Sequence, residues 1–194
     1  MSTDAARMTD AFEIAMQRAA AFDSKTGIVG YGVVELRGPD GELKQVEPFA
    51  NLITDAGDLY YAGKAITAIA PASPAAPTAM SGMKLGTGVT AAAKNGAGGA
   101  LVTYKTASNV AFDATFPSTS NLGAGLGVNA VYKTTWIAGV ATDAALTEAV
   151  IVNDAGVNAT SSAANTASRV VFAAVNKAAA DSLAITWNHK FLGA

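Results

Sequence analysis

Chemistry has few places to start in this chain. Its 194 residues include one histidine, His189, and no cysteine. His189 lies in the closing stretch DSLAITWNHKF, between Trp187 and Phe191. A serine-type hydrolase needs a nucleophile beside a base, and His189 is the one histidine base available. No Gly-x-Ser-x-Gly elbow accompanies it. One histidine per chain cannot build a histidine-rich metal site, unless a symmetric oligomer gathers several copies on an axis. The absence of cysteine excludes disulfides, thiolate metal sites and cysteine nucleophiles.

The carboxylates are equally sparse. Asp55 and Asp58 are three residues apart at a helix start, where they read as capping and dipole-pairing groups rather than a catalytic dyad. Asp113, Asp143, Glu148, Asp154 and Asp181 are scattered, and none begins an EF-hand loop. Three glycine patterns occur: GTG at 86–88, NGAGG at 95–99 and GAGLG at 123–127. None matches a dinucleotide fingerprint or a P-loop, so they read as loops that need glycine. The sequence therefore nominates no catalytic residue, no metal ligand and no cofactor-binding residue, and no cofactor is expected.

Composition narrows the partners. Charged residues make up 14% and hydrophobic residues 51%, with a net charge of −2. An ordinary soluble domain has roughly 25% charged residues. Without a basic run, nucleic-acid binding through phosphate neutralisation is not expected. No apolar run reaches the roughly 20 residues of a membrane span, so no membrane partner is expected. The opening MSTDAARMTDAFEIAMQRAAAF lacks the apolar core of a signal peptide, which predicts synthesis and retention in the cytoplasm. A surface this poor in charge suits contacts with neighbouring subunits, and a homo-oligomer is expected.

The elements that position these residues are mostly strands. Residues 3–21 form a predicted amphipathic helix, with Met8, Phe12, Ala15 or Met16, and Ala19 on one face. Such a helix folds back on its own domain or docks as an arm on a neighbour. Residues 28–49 form a hairpin around Gly38-Pro39-Asp40-Gly41. Thr54 or Asp55 caps a short helix over 55–66 with Leu59, Ala62 and Ile66 on one face, and a proline-rich loop follows to residue 80. MKLGTG is a short strand, then come strand-like segments at 110–116, 128–139, 146–153, 168–177 and 181–191. There is no βαβ rhythm. The pattern predicts a mainly β fold: an antiparallel β-sandwich or jelly roll with an N-terminal helix and one short additional helix. A helical arm over 1–24 and a single domain over 25–194 are expected. Alternation places Leu146, Glu148, Val150 and Val152 on one face of their strand. It makes Trp136, Trp187 and Phe172 candidate core anchors.

Three segments carry a resemblance. NLITDAG holds Asn-Leu-x-Thr-x-x-Gly, LGTGVT holds Leu-Gly-x-Gly-x-Thr, and AITW closes the chain as x-Ile-x-Trp. Their order, from Asn51 to Phe191, resembles virion structural proteins of tailed bacteriophages, small β-rich proteins that decorate the capsid or serve as minor tail components. The resemblance implies a non-enzymatic particle component in the virion, assembled in the host cytoplasm. Its partners would be other copies of itself and the major capsid protein or tail proteins. A capsid decoration (cement) protein is the leading expectation; a tail tube, minor tail or fibre component is the alternative. Met8, Phe12 and Met16 on the arm, with Tyr60, Tyr61 and Tyr104, are the candidate docking or interface residues. A carbohydrate-binding module is a third possibility, with Tyr60, Tyr61, Tyr104 or Trp136 stacking on a sugar ring.

Overall fold

The computed structural model describes residues 3–22, 28–65, 77–123 and 127–191, with 19–22 as helix backbone only. The expected 24/25 boundary, Ile66, most of the proline-rich loop, the centre of the GAGLG stretch and the side chain of Ala19 lie outside the described residues. The chain forms α1 (Thr3–Phe22), β1 (Ile28–Arg37), β2 (Leu43–Ile53), α2 (Asp55–Ala65) and β3 (Gly82–Gly86). It continues as β4 (Val110–Ala111), β5 (Ser118–Asn121), β6 (Val128–Trp136), β7 (Asp143–Val152), β8 (Thr166–Lys177) and β9 (Ser182–Phe191). Short 3-10 turns lie at Gly96–Gly99 and Ala163–Asn165.

The strands form one antiparallel sheet in the order β4-β3-β7-β8-β2-β1-β9-β6-β5. The sequence suggested two facing sheets; the structure has one that curls into a half-barrel. The reason lies in β2. It pairs with β1 from Leu43 to Asn51, and its C-terminal end turns onto β8 through Leu52↔Arg169 and Ile53↔Ser168. Continued in the same register, that ladder would set Pro48 opposite Ala173, and proline has no N–H to donate. The Gln45 side-chain amide instead donates to the Ala174 carbonyl at 3.2 Å, and the Pro48 carbonyl accepts from Arg18 at 2.7 Å. The two halves of the sheet stay joined at one corner and splay below it.

On the far side the curl almost closes. After β4, the Asp113 N–H donates to the Lys133 carbonyl on β6 at 2.9 Å. The Asp113 carboxylate accepts from the Thr135 N–H at 2.9 Å and its hydroxyl at 2.8 Å. Inside lies one apolar core that includes Val34, Phe49, Leu85, Ile151, Phe172, Tyr132 and Ile185. Trp136 and Trp187 have no exposed surface, and Phe172 is buried beside them. Each indole N–H is satisfied at 2.7 Å, Trp136 by the Ser108 carbonyl and Trp187 by the Asn51 side-chain oxygen. Burying an aromatic of this size with its polar edge paired stabilises the fold strongly.

In β7 the alternation expected from sequence slips. The ladder shifts register between Leu146 and Glu148, so Leu146 joins Ala149 and Ile151 on the core side. Val150 and Val152 face outward and are covered by Leu101, Ala155 and Tyr104. Helix α1 lies on the outer face of the β1–β2 hairpin. Ala11 and Ala15 are buried there, with Phe12 against Tyr31, Val29 and Ala50. Arg7 donates to the Leu43 carbonyl at 2.9 Å, a second tie beside that of Arg18. Among the described residues no helix is long and apolar enough to cross a membrane.

Candidate functional site

His189 sits on the inner face of β9, fully buried, where α2 seals the half-barrel. Its position follows from period-two alternation with Leu183, Ile185 and Trp187. Three hydroxyl groups surround it. The Tyr61 hydroxyl from α2 bonds to Nδ1, and the Ser168 hydroxyl from β8 lies 2.9 Å from Nε2. Tyr61 and Tyr132 share a further hydrogen bond of 2.9 Å. A neutral imidazole carries one N–H, so one hydroxyl donates to the ring while the other accepts from it.

Burial fixes the protonation states. Desolvation pushes the His189 pKa down to about 3, so the ring is neutral at physiological pH. The same cause pushes Tyr132 up to about 12 and Tyr61 further up, so both phenols stay protonated. The cluster is uncharged and internally bonded.

A serine hydroxyl 2.9 Å from a histidine nitrogen has the spacing of a nucleophile and its base. Here it lacks the rest of the machinery. Ser168 and His189 both have zero exposure, so no substrate reaches either. The far ring nitrogen meets a phenol, not a carboxylate that would stabilise an imidazolium. What the arrangement can do is hold α2 onto the barrel. Among the described residues no three His, Asp or Glu side chains cluster so as to hold a metal ion.

A second buried polar centre lies on the outer face of β7 and β8. Arg169 and Glu148 form a fully buried ion pair at 2.7 Å. The Glu148 carboxylate also accepts from the N–H groups of Gly88 at 2.9 Å, Val102 at 3.1 Å and Thr103 at 2.8 Å. Arg169 donates onward to the carbonyls of Thr90 at 2.8 Å and Gly98 at 3.2 Å. The pair thus pins both arms of the loop between β3 and β4. A Cβ at Gly86 would lie 2.6 Å from the Glu148 carboxylate, and one at Gly88 2.5 Å from it. The GTG pattern therefore makes room for a carboxylate, a different reason from the backbone freedom expected. Lys84, also fully buried, pairs with Asp154 at 3.1 Å and donates to the Ala159 carbonyl at 2.9 Å.

Sequence reasoning missed both ion pairs, although a signal was present. Glu148 interrupts LTEAVIVN and Arg169 interrupts SRVVFAAV, opposite charges in otherwise apolar strands. Two such charges in a mainly apolar setting call for each other, because an unpaired buried charge is prohibitively costly.

The candidate docking residues do not gather on one surface. Met8 and Phe12 are half-buried on the side of α1 that meets its own hairpin, whereas Met16 is 45% exposed. Tyr61 turns its hydroxyl inward to His189 and does not present it to a neighbour. Tyr60 is half-buried and packs against the core. The Tyr104 hydroxyl is tied to Asn109 at 3.1 Å and Asn158 at 2.7 Å. Of the aromatic residues considered for sugar stacking, Trp136 is fully buried, whereas Tyr60, Tyr61 and Tyr104 are half-buried.

Comparison of the chain with protein-family models, curated proteins and solved structures finds no match.

Proposed function

We propose that this chain is a non-enzymatic structural component of a tailed-phage virion, most directly an oligomeric decoration protein on the head exterior. The observation that carries the reading is where the three resemblance segments lie: each supplies framework. Asn51 bonds Trp187, which joins the first segment to the last. Thr54 caps α2 by accepting from the Gly57 N–H at 3.0 Å and donating to the Thr166 carbonyl. Gly57 lets the helix touch β8, since a Cβ there would lie 2.1 Å from the Ala167 carbonyl oxygen. Gly86, Gly88 and Thr90 surround the Glu148–Arg169 pin. The buried polar side chains of Glu148, Arg169 and His189 hold loops and helices in place, which suits a lattice component. The charge-poor surface fits close contact with neighbouring subunits.

The test is immunogold labelling of intact particles from the source lysate with antibody raised against the purified protein. Label over heads is the expected result. Label on tail shafts would replace the head assignment by a tail component, and particles without label would overturn the virion reading.

A further inference from the structure

The sheet has two end strands, β4 and β5. Next to β4, Asp113 carries the chain onto β6. Among the described residues β5 is paired on one side only, with β6. Its register runs Ser118↔Val131 to Asn121↔Val128, and just beyond it the Leu122 N–H donates to the Gly127 carbonyl at 3.1 Å. Antiparallel ladders bond at alternate residues. Ser118, Ser120 and Leu122 therefore bond inward to β6, and the N–H and C=O groups of Thr119 and Asn121 point outward. Thr119, Ser120 and Asn121 are all exposed.

An open edge of this kind is a template for another strand, and proteins usually guard it with lysine, an inward charge or a covering loop. Here the sequence from Ala114 to Gly127 contains no charged residue. That neutrality favours one partner in particular. When a strand pairs antiparallel with its own copy about a two-fold axis, the central residue meets its own counterpart, so a charge there would oppose itself.

We infer that β5 is a self-pairing edge, through which two copies of this chain join antiparallel about a two-fold axis at Ser120. Thr119 of each copy faces Asn121 of the other, and the outward N–H and C=O groups of these residues make four main-chain hydrogen bonds. Ser120 meets its own copy at a non-hydrogen-bonded pair, where side chains approach most closely. Val128, 41% exposed and opposite Asn121, adds apolar surface beside the joint. Four residues a side make a modest interface, so the dimer is concentration-dependent. The inference does not rest on the virion reading, because it concerns the isolated protein in solution.

Sedimentation equilibrium over a concentration series tests it. The wild-type protein should move from the 19.4 kDa chain mass toward twice that value. Ser120→Lys and Ser120→Glu should each remain monomeric through like-charge opposition, and an equimolar mixture of the two should dimerise. Thr119→Pro, which removes an outward N–H without touching the bonds to β6, should also abolish the dimer while circular dichroism stays native. A wild-type protein that stays monomeric throughout, or a dimer indifferent to all three variants, overturns the inference.

Discussion

Acid should loosen this protein through His189, and the size of the effect follows from its burial. In the folded chain the ring holds a proton only below about pH 3, whereas a free histidine takes one up near 6.5. As pH falls below 6.5 the unfolded state binds a proton that the folded state refuses. The stability present above 6.5 is therefore lost progressively down to about pH 3. Each pH unit in that window costs about 1.4 kcal/mol, so at pH 4.5 the loss from this residue is roughly 3 kcal/mol. Carboxylates add their own acid dependence, so the comparison needs a variant lacking the imidazole. His189→Gln can still donate to and accept from Tyr61 and Ser168 while carrying no titratable group. Urea unfolding of both proteins from pH 7.5 to 4.5 gives the difference in stability at each pH. The wild-type advantage should shrink by roughly 3 kcal/mol across that range. A difference that stays constant with pH would show that the ring is protonated in the folded state or reaches solvent, and the account of the buried cluster would fail.

Three further outcomes follow from the packing. Trp187→Ala should destabilise by about 3–5 kcal/mol in denaturant unfolding, since it empties a fully buried volume and leaves Asn51 without its donor. Glu148→Ala should cost about 3–5 kcal/mol by stranding Arg169 in the interior, and hydrogen exchange at Gly88, Val102 and Thr103 should rise with it. Thr134 carries a buried hydroxyl without a hydrogen-bond partner among the described residues, so Thr134→Val should raise stability by about 1 kcal/mol, read as a higher melting temperature.

The division between sequence and structure is clearest in single residues. Alternation in DSLAITWNHKF placed His189 on the apolar side of its strand from sequence alone, because the period of a strand is local geometry. The same local rules marked Thr54 or Asp55 as the helix cap, of which the fold uses Thr54, the turn at Gly41, which has a φ of +84°, and the inward tryptophans. Composition alone excluded cysteine chemistry and a histidine-rich metal site in one chain. It could not name the partners of His189, since Tyr61 is 128 residues away in sequence and Ser168 is 21. Nor could it tell that Tyr61 faces inward, because half-apolar helices expose or bury a tyrosine according to what lies beneath them. The slip in β7 escaped it too, as a register shift depends on the neighbouring strand.

The architecture was decided at the same level. Many short strands with turns between them determined a mainly β, antiparallel chain, but they leave open whether the strands pair as two sheets or as one. The corner where β2 turns onto β8 joined them into one sheet, and the donor that Pro48 lacks lets the two halves splay below it, a consequence that appears only when β8 lies alongside. Likewise β5, four small polar residues with no apolar alternation, became a strand because β6 lay next to it. Periodicity and capping are properties of neighbours along the chain, and the sequence by itself determined them. Pairing, closure and the burial of charge are properties of neighbours in space, and only the tertiary structure decided those.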